Sequence, residues 1–215
     1  MDIGLFGGTF NPVHNGHLGI IEYVRKTFDL EKIFFIPSAT PPHKPEKNLA
    51  PAQYRFQMVK ESLKGCNHLF ASDKELLRQG PSYTIDTINE FKAEYGLDTD
   101  FYLLMGSDAF LDITTWERND QIFDSVKIII MLRGNWENYN TIISFIDENI
   151  SKGYIFDKHS NTFSHKTKHQ LFICQVPKID ISSSLIRKRI KNNESIDRLV
   201  PRIVEDIIRT KELYQ

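Results

Sequence analysis

The 215 residues carry 40% hydrophobic and 26% charged side chains, with a formal net charge of −1. That make-up suits a globular chain able to bury a sizeable core, and it offers no bulk attraction for nucleic acid or an anionic membrane. The apolar run Ile128 to Leu132 is too short for a bilayer, Asp2 directly after Met1 argues against a secretory leader, and Cys66 and Cys174 lack metal-type spacing; a cytoplasmic protein with reduced thiols is expected.

Ile3-Gly4-Leu5-Phe6 opens the chain as a strand, and Leu18, Ile20, Ile21 and Val24 have helical spacing, with a helix expected to about Phe28. Between them stands GGTFNPVHNGH, residues 7–17. Gly7 and Gly8 permit close backbone approach and angles closed to other residues. The following helix offers unpaired N–H groups and the positive end of its dipole, a seat for phosphate. His14 and His17, three apart, share a face and can donate to one anion. Neither G-x-G-x-x-G nor G-x-x-x-x-G-K-[ST] occurs, so the expected grip is by imidazoles and backbone rather than a P-loop lysine.

Lys32 to Pro37 reads as a buried parallel strand. The proline- and charge-rich stretch 38–51 follows, where His43 and Lys44 are placed to reach the same phosphates. Ala52 to Lys64 is a helix with Phe56, Val59 and Leu63 on one face, and Leu69 to Ala71 a short strand. Ser82 or Thr84 is expected to cap a helix ending at Tyr95, with Gly96 as its stop. The strand Asp100 to Met105 runs into Gly106-Ser107-Asp108, where the aspartate either accepts from ribose hydroxyls or caps the next helix. Trp116 is core or a platform for a planar ring. Lys127 to Leu132 is another buried strand, Asn140 to Ser151 a helix, and Lys152 to His169 a solvated loop whose histidines lack metal spacing. After the strand Leu171 to Val176, Asp180 or Ser182 caps a helix that directs Arg187 toward phosphate. Pro201 to Leu213 forms a last helix with proline in its first position.

With both motifs in view, the chain resembles the nucleotidylyltransferase superfamily, whose members share H-x-G-H near the N-terminus and I-S-S-x-x-I-R near the C-terminus. It is most similar to the bacterial nicotinate-nucleotide adenylyltransferase family, through GGTFNPVHNGH, PPHK at 41–44, PSYTIDT at 81–87, GSD at 106–108 with Trp116, ISSSLIR at 181–187 and the closing VPRIVEDIIRTKELY. Asn11 stands where many members have Asp, and Ser184 where Thr is frequent. The resemblance implies a doubly wound α/β fold with a mainly parallel sheet (Rossmann-like) and a C-terminal helical end. One domain over 1–215 is expected, with a less assignable segment at about 135–169.

It further implies adenylyl transfer from ATP to nicotinate mononucleotide in NAD biosynthesis, with Mg²⁺ carried by the ATP phosphates and no protein side chain as metal ligand. His14, His17 and Arg187 would be catalytic. ATP would be held by Gly7, Gly8, Thr9, Phe10, His14, His17, Gly106, Asp108, Ile181, Ser182, Ser183, Ser184 and Arg187, and the mononucleotide by Lys44, Tyr83, Thr84 and Trp116. Alternatives are transfer to nicotinamide mononucleotide or phosphopantetheine, and a nucleotide-sensing module without catalysis. Only small-molecule substrates are expected as partners, with a homo-oligomer left open.

Overall fold

The computed structural model describes residues 1–40, 49–96, 98–133 and 137–215, the last range without the side chains of Glu137 and Asn138. In chain order its strands and helices are β1 (Asp2–Gly8), α1 (Asn15–Thr27), β2 (Lys32–Pro37), α2 (Ala52–Ser62), β3 (Leu69–Ala71), α3 (Lys74–Leu77), α4 (Thr84–Tyr95), β4 (Asp100–Gly106), α5 (Ser107–Leu111), α6 (Asn119–Ser125), β5 (Lys127–Arg133), α7 (Glu137–Phe145), β6 (Ile155–Asp157), β7 (Thr162–Ser164), β8 (Leu171–Val176), α8 (Ser183–Lys191) and α9 (Arg202–Thr210). A 3₁₀ turn at Ile113–Thr115 follows α5, and a π turn at Ile146–Ile150 continues α7. The strands belong to one eight-stranded, mostly parallel sheet, the doubly wound α/β class that the resemblance implies.

The chain divides into two compact units, one of Met1–Phe6, Phe28–Glu31 and Tyr83–Lys178, the other of Gly7–Thr27, Lys32–Ser82 and Ile179–Gln215. In the first, β1, β4, β5 and β8 pair in parallel, with Leu5 beside Leu103, Leu104 beside Ile129 and Ile130 beside Ile173. Their unbroken apolar runs are buried on both faces, as parallel strands under helices require. In the second, β2 and β3 pair in parallel. Here α1 buries Ile20, Ile21 and Val24, while α9 buries Val204, Ile207 and Ile208. The C-terminal helical end is thus α8 and α9.

The structure departs from expectation in several places. Residues 152–169 hold the antiparallel hairpin β6–β7, which extends β8, rather than a solvated loop. Its aromatics explain why: Phe156 packs on Phe163 at 4.5 Å, and Tyr154 and Tyr139 meet these rings edge-on. Neither Ser82 nor Thr84 caps α4, whose N-cap residue is Tyr83 with no side-chain bond; Ser82 Oγ instead accepts the Ala39 N–H at 3.0 Å. Pro201 is the N-cap of α9, one position earlier than expected. Gly96 does end α4, at φ 79°. Cys66 is exposed and Cys174 buried, both as free thiols, and burial pushes the Cys174 thiol up to about 11. Among the described residues no helix is long and apolar enough to cross a membrane.

Candidate active site

The turn between β1 and α1 is shaped by its two histidines. His14 is the residue before α1, and its carbonyl accepts the N–H groups of His17 and Leu18. Its Nδ1 accepts the His17 N–H at 3.2 Å, while His17 Nδ1 accepts the His14 N–H at 3.3 Å. This is the reciprocal geometry of a capping box, built from imidazoles at the same i, i+3 spacing. An Nδ1 that accepts a backbone N–H leaves Nε2 as the ring's donor toward a ligand. The rings stack with centroids 3.6 Å apart, and His14 is only 3% exposed.

The glycines matter differently from expectation. Gly7 and Gly8 do not adopt positive φ; in this turn that angle falls to Phe10, at 46°. A Cβ on Gly7 would meet nothing within 4 Å, whereas one on Gly16 would press on the His14 ring at 3.0–3.1 Å. Gly16 therefore lets His14 fold back over the first turn of α1. The Phe10 ring is buried against Phe35 and meets His17 edge-on at 5.3 Å.

The C-terminal motif closes on this same turn. Ser182 caps α8 by accepting the Leu185 N–H at 3.2 Å, which settles the choice between it and Asp180. Ser183 Oγ donates to Pro12 O at 2.8 Å. Arg187 donates through Nη1 to Asn11 O at 2.7 Å and through Nη2 to Ser184 Oγ at 3.2 Å, so part of its fork holds the turn itself. Ile181 lies against Gly16. Two helix N-termini and a guanidinium thus meet around Asn11 to His17, an arrangement that favours an anion.

Gly106, Asp108, Tyr83, Thr84 and Trp116 belong to the other unit. Asp108 is exposed in the first turn of α5 and does not cap it; a Cβ on Gly106 would fall on Asp108 Oδ1, so glycine is needed for the carboxylate to fold back. Thr84 is the first residue of α4 after Tyr83. Trp116 ends the 3₁₀ turn half-buried rather than in the core, with its carbonyl held by Asn119 Nδ2 at 3.3 Å. Arg118, two residues on, pairs with Asp86 in the first turn of α4. His43 and Lys44 lie outside the described residues. Among those residues no three His, Cys, Asp or Glu side chains gather to hold a metal.

Three contributors escaped the motif reading: Arg55, whose fully buried guanidinium bonds Thr9 O at 2.8 Å, the Asn11 side chain, which accepts the Ala50 N–H at 3.0 Å, and Arg118. Arg55 had a legible signal, since it stands three and four residues before Met58 and Val59 on the apolar face of α2. A charge in such a stripe is either misread or functional.

Comparison with known proteins agrees with this geometry. Residues 5–189 match the cytidylyltransferase-like family model. The probable nicotinate-nucleotide adenylyltransferase of Geobacter sp. (strain M21) is 36% identical over 214 residues, covering 100% of this chain and 98% of the relative. The one from Moorella thermoacetica is 35% identical over 213 residues, covering 99% and 91%. Among solved structures, Plasmodium falciparum nicotinic acid mononucleotide adenylyltransferase complexed with NaAD superposes with a TM-score of 0.74 at 20% identity, covering 99% of this chain and 97% of that one, a likeness of fold. The chain therefore belongs to the cytidylyltransferase-like superfamily and, within it, to the nicotinate-nucleotide adenylyltransferase family.

Proposed function

We propose that this chain transfers the adenylyl group of ATP to the phosphate of nicotinate mononucleotide, yielding nicotinate adenine dinucleotide and pyrophosphate. The observation that carries the reading is the pair of mutually capped imidazoles at the N-terminus of α1, in a chain whose full length matches this family.

The acceptor's phosphate is already an anionic nucleophile, so no protein base is required. A phosphate oxygen bonds to the α-phosphorus of ATP as the bond from that phosphorus to the bridging oxygen of pyrophosphate breaks. The work left to the protein is alignment and charge stabilisation. In this reading the Nε2–H groups of His14 and His17 donate to phosphate oxygens as charge develops. Arg187 and the N–H groups at the start of α8, around Ser182 to Ser184, take up the departing pyrophosphate, and the backbone of Gly7 to Phe10 lies along the triphosphate. In the same reading Asp108 would hold the adenosine ribose with Gly106 beside it against ATP, Tyr83, Thr84 and Trp116 would take the pyridine nucleotide, and Lys44 would neutralise phosphate. Mg²⁺, brought by the ATP phosphates, would neutralise part of their charge.

The test is pyrophosphate release by the purified protein with MgATP and, in turn, nicotinate mononucleotide, nicotinamide mononucleotide and phosphopantetheine, with the product identified chromatographically. Nicotinate adenine dinucleotide as the preferred product is expected. Turnover of phosphopantetheine alone, or ATP binding without any turnover, would overturn the reading.

A further inference from the structure

Arg55 is a buried cation that the proposed chemistry does not use. It exposes none of its surface, and burial holds its pKa below the usual guanidinium value, although an arginine stays charged. Among the described residues its partners are carbonyl oxygens rather than a carboxylate: Nε donates to Ala50 O at 2.8 Å, Nη1 to Thr9 O at 2.8 Å and Nη2 to Ala39 O at 3.1 Å. Burying a charge without a counter-ion is costly, and an apolar side chain would serve α2 better if packing were the whole purpose.

Its three partners come from separate stretches of the unit. Thr9 lies in the turn that carries the histidine pair, Ala39 follows β2, and Ala50 precedes α2. The attachments are reinforced where Asn11 Oδ1 accepts the Ala50 N–H at 3.0 Å and Ser82 Oγ accepts the Ala39 N–H at 3.0 Å. Two residues along the turn, Asn11 O is held by Arg187. Two guanidinium groups therefore fix alternate carbonyls of one short stretch. Because a trans peptide is planar, drawing Thr9 O toward Arg55 turns the Phe10 N–H to the opposite side. A planar fork offers donors spread over three nitrogens in fixed directions, whereas an ammonium has its three on one nitrogen and would need all three carbonyls to converge on a single point. The Tyr214 hydroxyl is buried in the same unit without a hydrogen-bond partner among the described residues, its pKa raised by burial and drawn back by Arg55 and Arg187.

We infer that Arg55 is a positioning residue for adenylyl transfer: by tying Thr9 to Ala39 and Ala50 it sets the height and tilt of the turn that presents the backbone and the His14–His17 pair to the ATP phosphates. The inference rests on the proposed function. It acts on the ATP side of the reaction through its hold on Thr9 O.

The test compares the parent with Arg55→Ala and Arg55→Lys, varying each substrate at saturation of the other and recording circular dichroism and melting alongside. A folded variant is expected to lose at least about tenfold in kcat/KM for ATP, since misplacement by about 1 Å can cost about 10²-fold. KM for the mononucleotide should stay within about twofold. Millimolar guanidinium should restore activity to folded Arg55→Ala while methylammonium does not, a rescue that a general loss of stability would not show. An unchanged kcat/KM for ATP, or a rise in the mononucleotide KM as large as the loss for ATP, overturns the inference. If neither variant folds, the Arg55 Nε–H resonance of the parent decides: it should shift on adding ATP, and an unmoved resonance overturns the assignment. An inactive parent would instead refute the proposed function, so the two failures are distinguishable.

Discussion

His14 and His17 cap each other: each Nδ1 accepts the other's backbone N–H, at 3.2 and 3.3 Å, while the two rings stack at 3.6 Å. A Ser-x-x-Glu box would secure the helix start equally well but would leave a carboxylate beside an incoming polyphosphate. Imidazoles secure the same N–H groups and keep a donor nitrogen, Nε2, on each far edge. The backbone thereby fixes tautomer and ring direction before any ligand arrives, which is preorganisation in the sense that matters for transition-state charge.

His17→Ala is therefore expected to act twice. Removing a donor aimed at developing charge should lower kcat by about 10²–10³. Removing the acceptor for the His14 N–H should also cost about 0.5–2 kcal/mol, the range for a lost helix cap. Turnover at saturating ATP and urea unfolding measure the two effects separately. Turnover within a few-fold of the parent would remove His17 from the catalytic set.

Gly16→Ala separates packing from helix propensity. In an ordinary helix interior alanine would stabilise by roughly 0.5–1 kcal/mol. Here the added Cβ would press on His14 Nδ1 and Cε1 at 3.0–3.1 Å, so the ring must shift by a few tenths of an ångström. The variant should fold with a melting temperature near the parent's, and lose about tenfold or more in kcat, as misdirected catalytic groups do. A parent-like kcat would show that the His14 ring direction does not matter.

Much of this was legible in the sequence because local rules and the global fold agree. The β2 run is apolar from Ile33 to Pro37 and the β8 run apart from Gln175, and both are strands with the bounds expected. Gly96 ends α4, and Ser182 caps α8. What escaped depends on partners distant in the chain. Ser82 looked like a cap because hydroxyls before helices usually are, yet it serves Ala39 N, 43 residues away. The hairpin β6–β7 was hidden in a polar stretch because three-residue strands are too short to show alternation; Phe156 and Phe163 declare themselves only when paired. Phe10, not a glycine, takes the left-handed angle, its ring buried in compensation.

Arg187→Lys should not be conservative. The native fork reaches Asn11 O and Ser184 Oγ from two separate nitrogens, a spread that an ammonium with all its donors on one nitrogen does not reproduce. ATP and pyrophosphate binding should weaken by about tenfold or more, about 1.4 kcal/mol or more, with mononucleotide affinity nearly unchanged. Calorimetric titration of each ligand checks this. Equal weakening of both substrates would contradict a role confined to the phosphates.

His169 predicts an acid-sensitive step in stability. Burial, with Lys92 and Lys127 adding repulsion, lowers its pKa below the usual imidazole value, against weaker pull from Asp100 and Asp124. The unfolded chain then takes up this proton at higher pH than the folded one. Stability is whole above the unfolded pKa of about 6.5 and is lost as pH falls from there toward the lower folded value. Urea unfolding at two pH values spanning that window should show a smaller loss for His169→Gln than for the parent. An identical loss in both would assign the step to other groups.

The choice of pyridine tests the substrate side, within the unit that holds Tyr83, Thr84 and Trp116. The acid differs from the amide by a charge and by an acceptor oxygen in place of an NH₂ donor. A pocket offering N–H donors leaves one opposed to that NH₂, and a buried hydrogen bond left unmade costs roughly 1–3 kcal/mol. Tyr83 lies at the N-terminal end of α4, where such donors are supplied by the backbone, so no dedicated arginine is needed. The Arg118–Asp86 pair ties the Trp116 stretch to that helix end, although its side chains are 39% and 32% exposed and its contribution to stability is about 0–1 kcal/mol. kcat/KM should favour nicotinate over nicotinamide mononucleotide by at least about tenfold, equivalent to roughly 1.4 kcal/mol. Trp116→Ala should weaken both acceptors alike, because stacking does not read the substituent, and should leave the KM for ATP nearly unchanged. Arg118→Ala should act in the same direction but more weakly, since it moves the tryptophan without removing it. Equal use of the two mononucleotides, or a preference for the amide, would refute nicotinate selectivity while leaving adenylyl transfer intact.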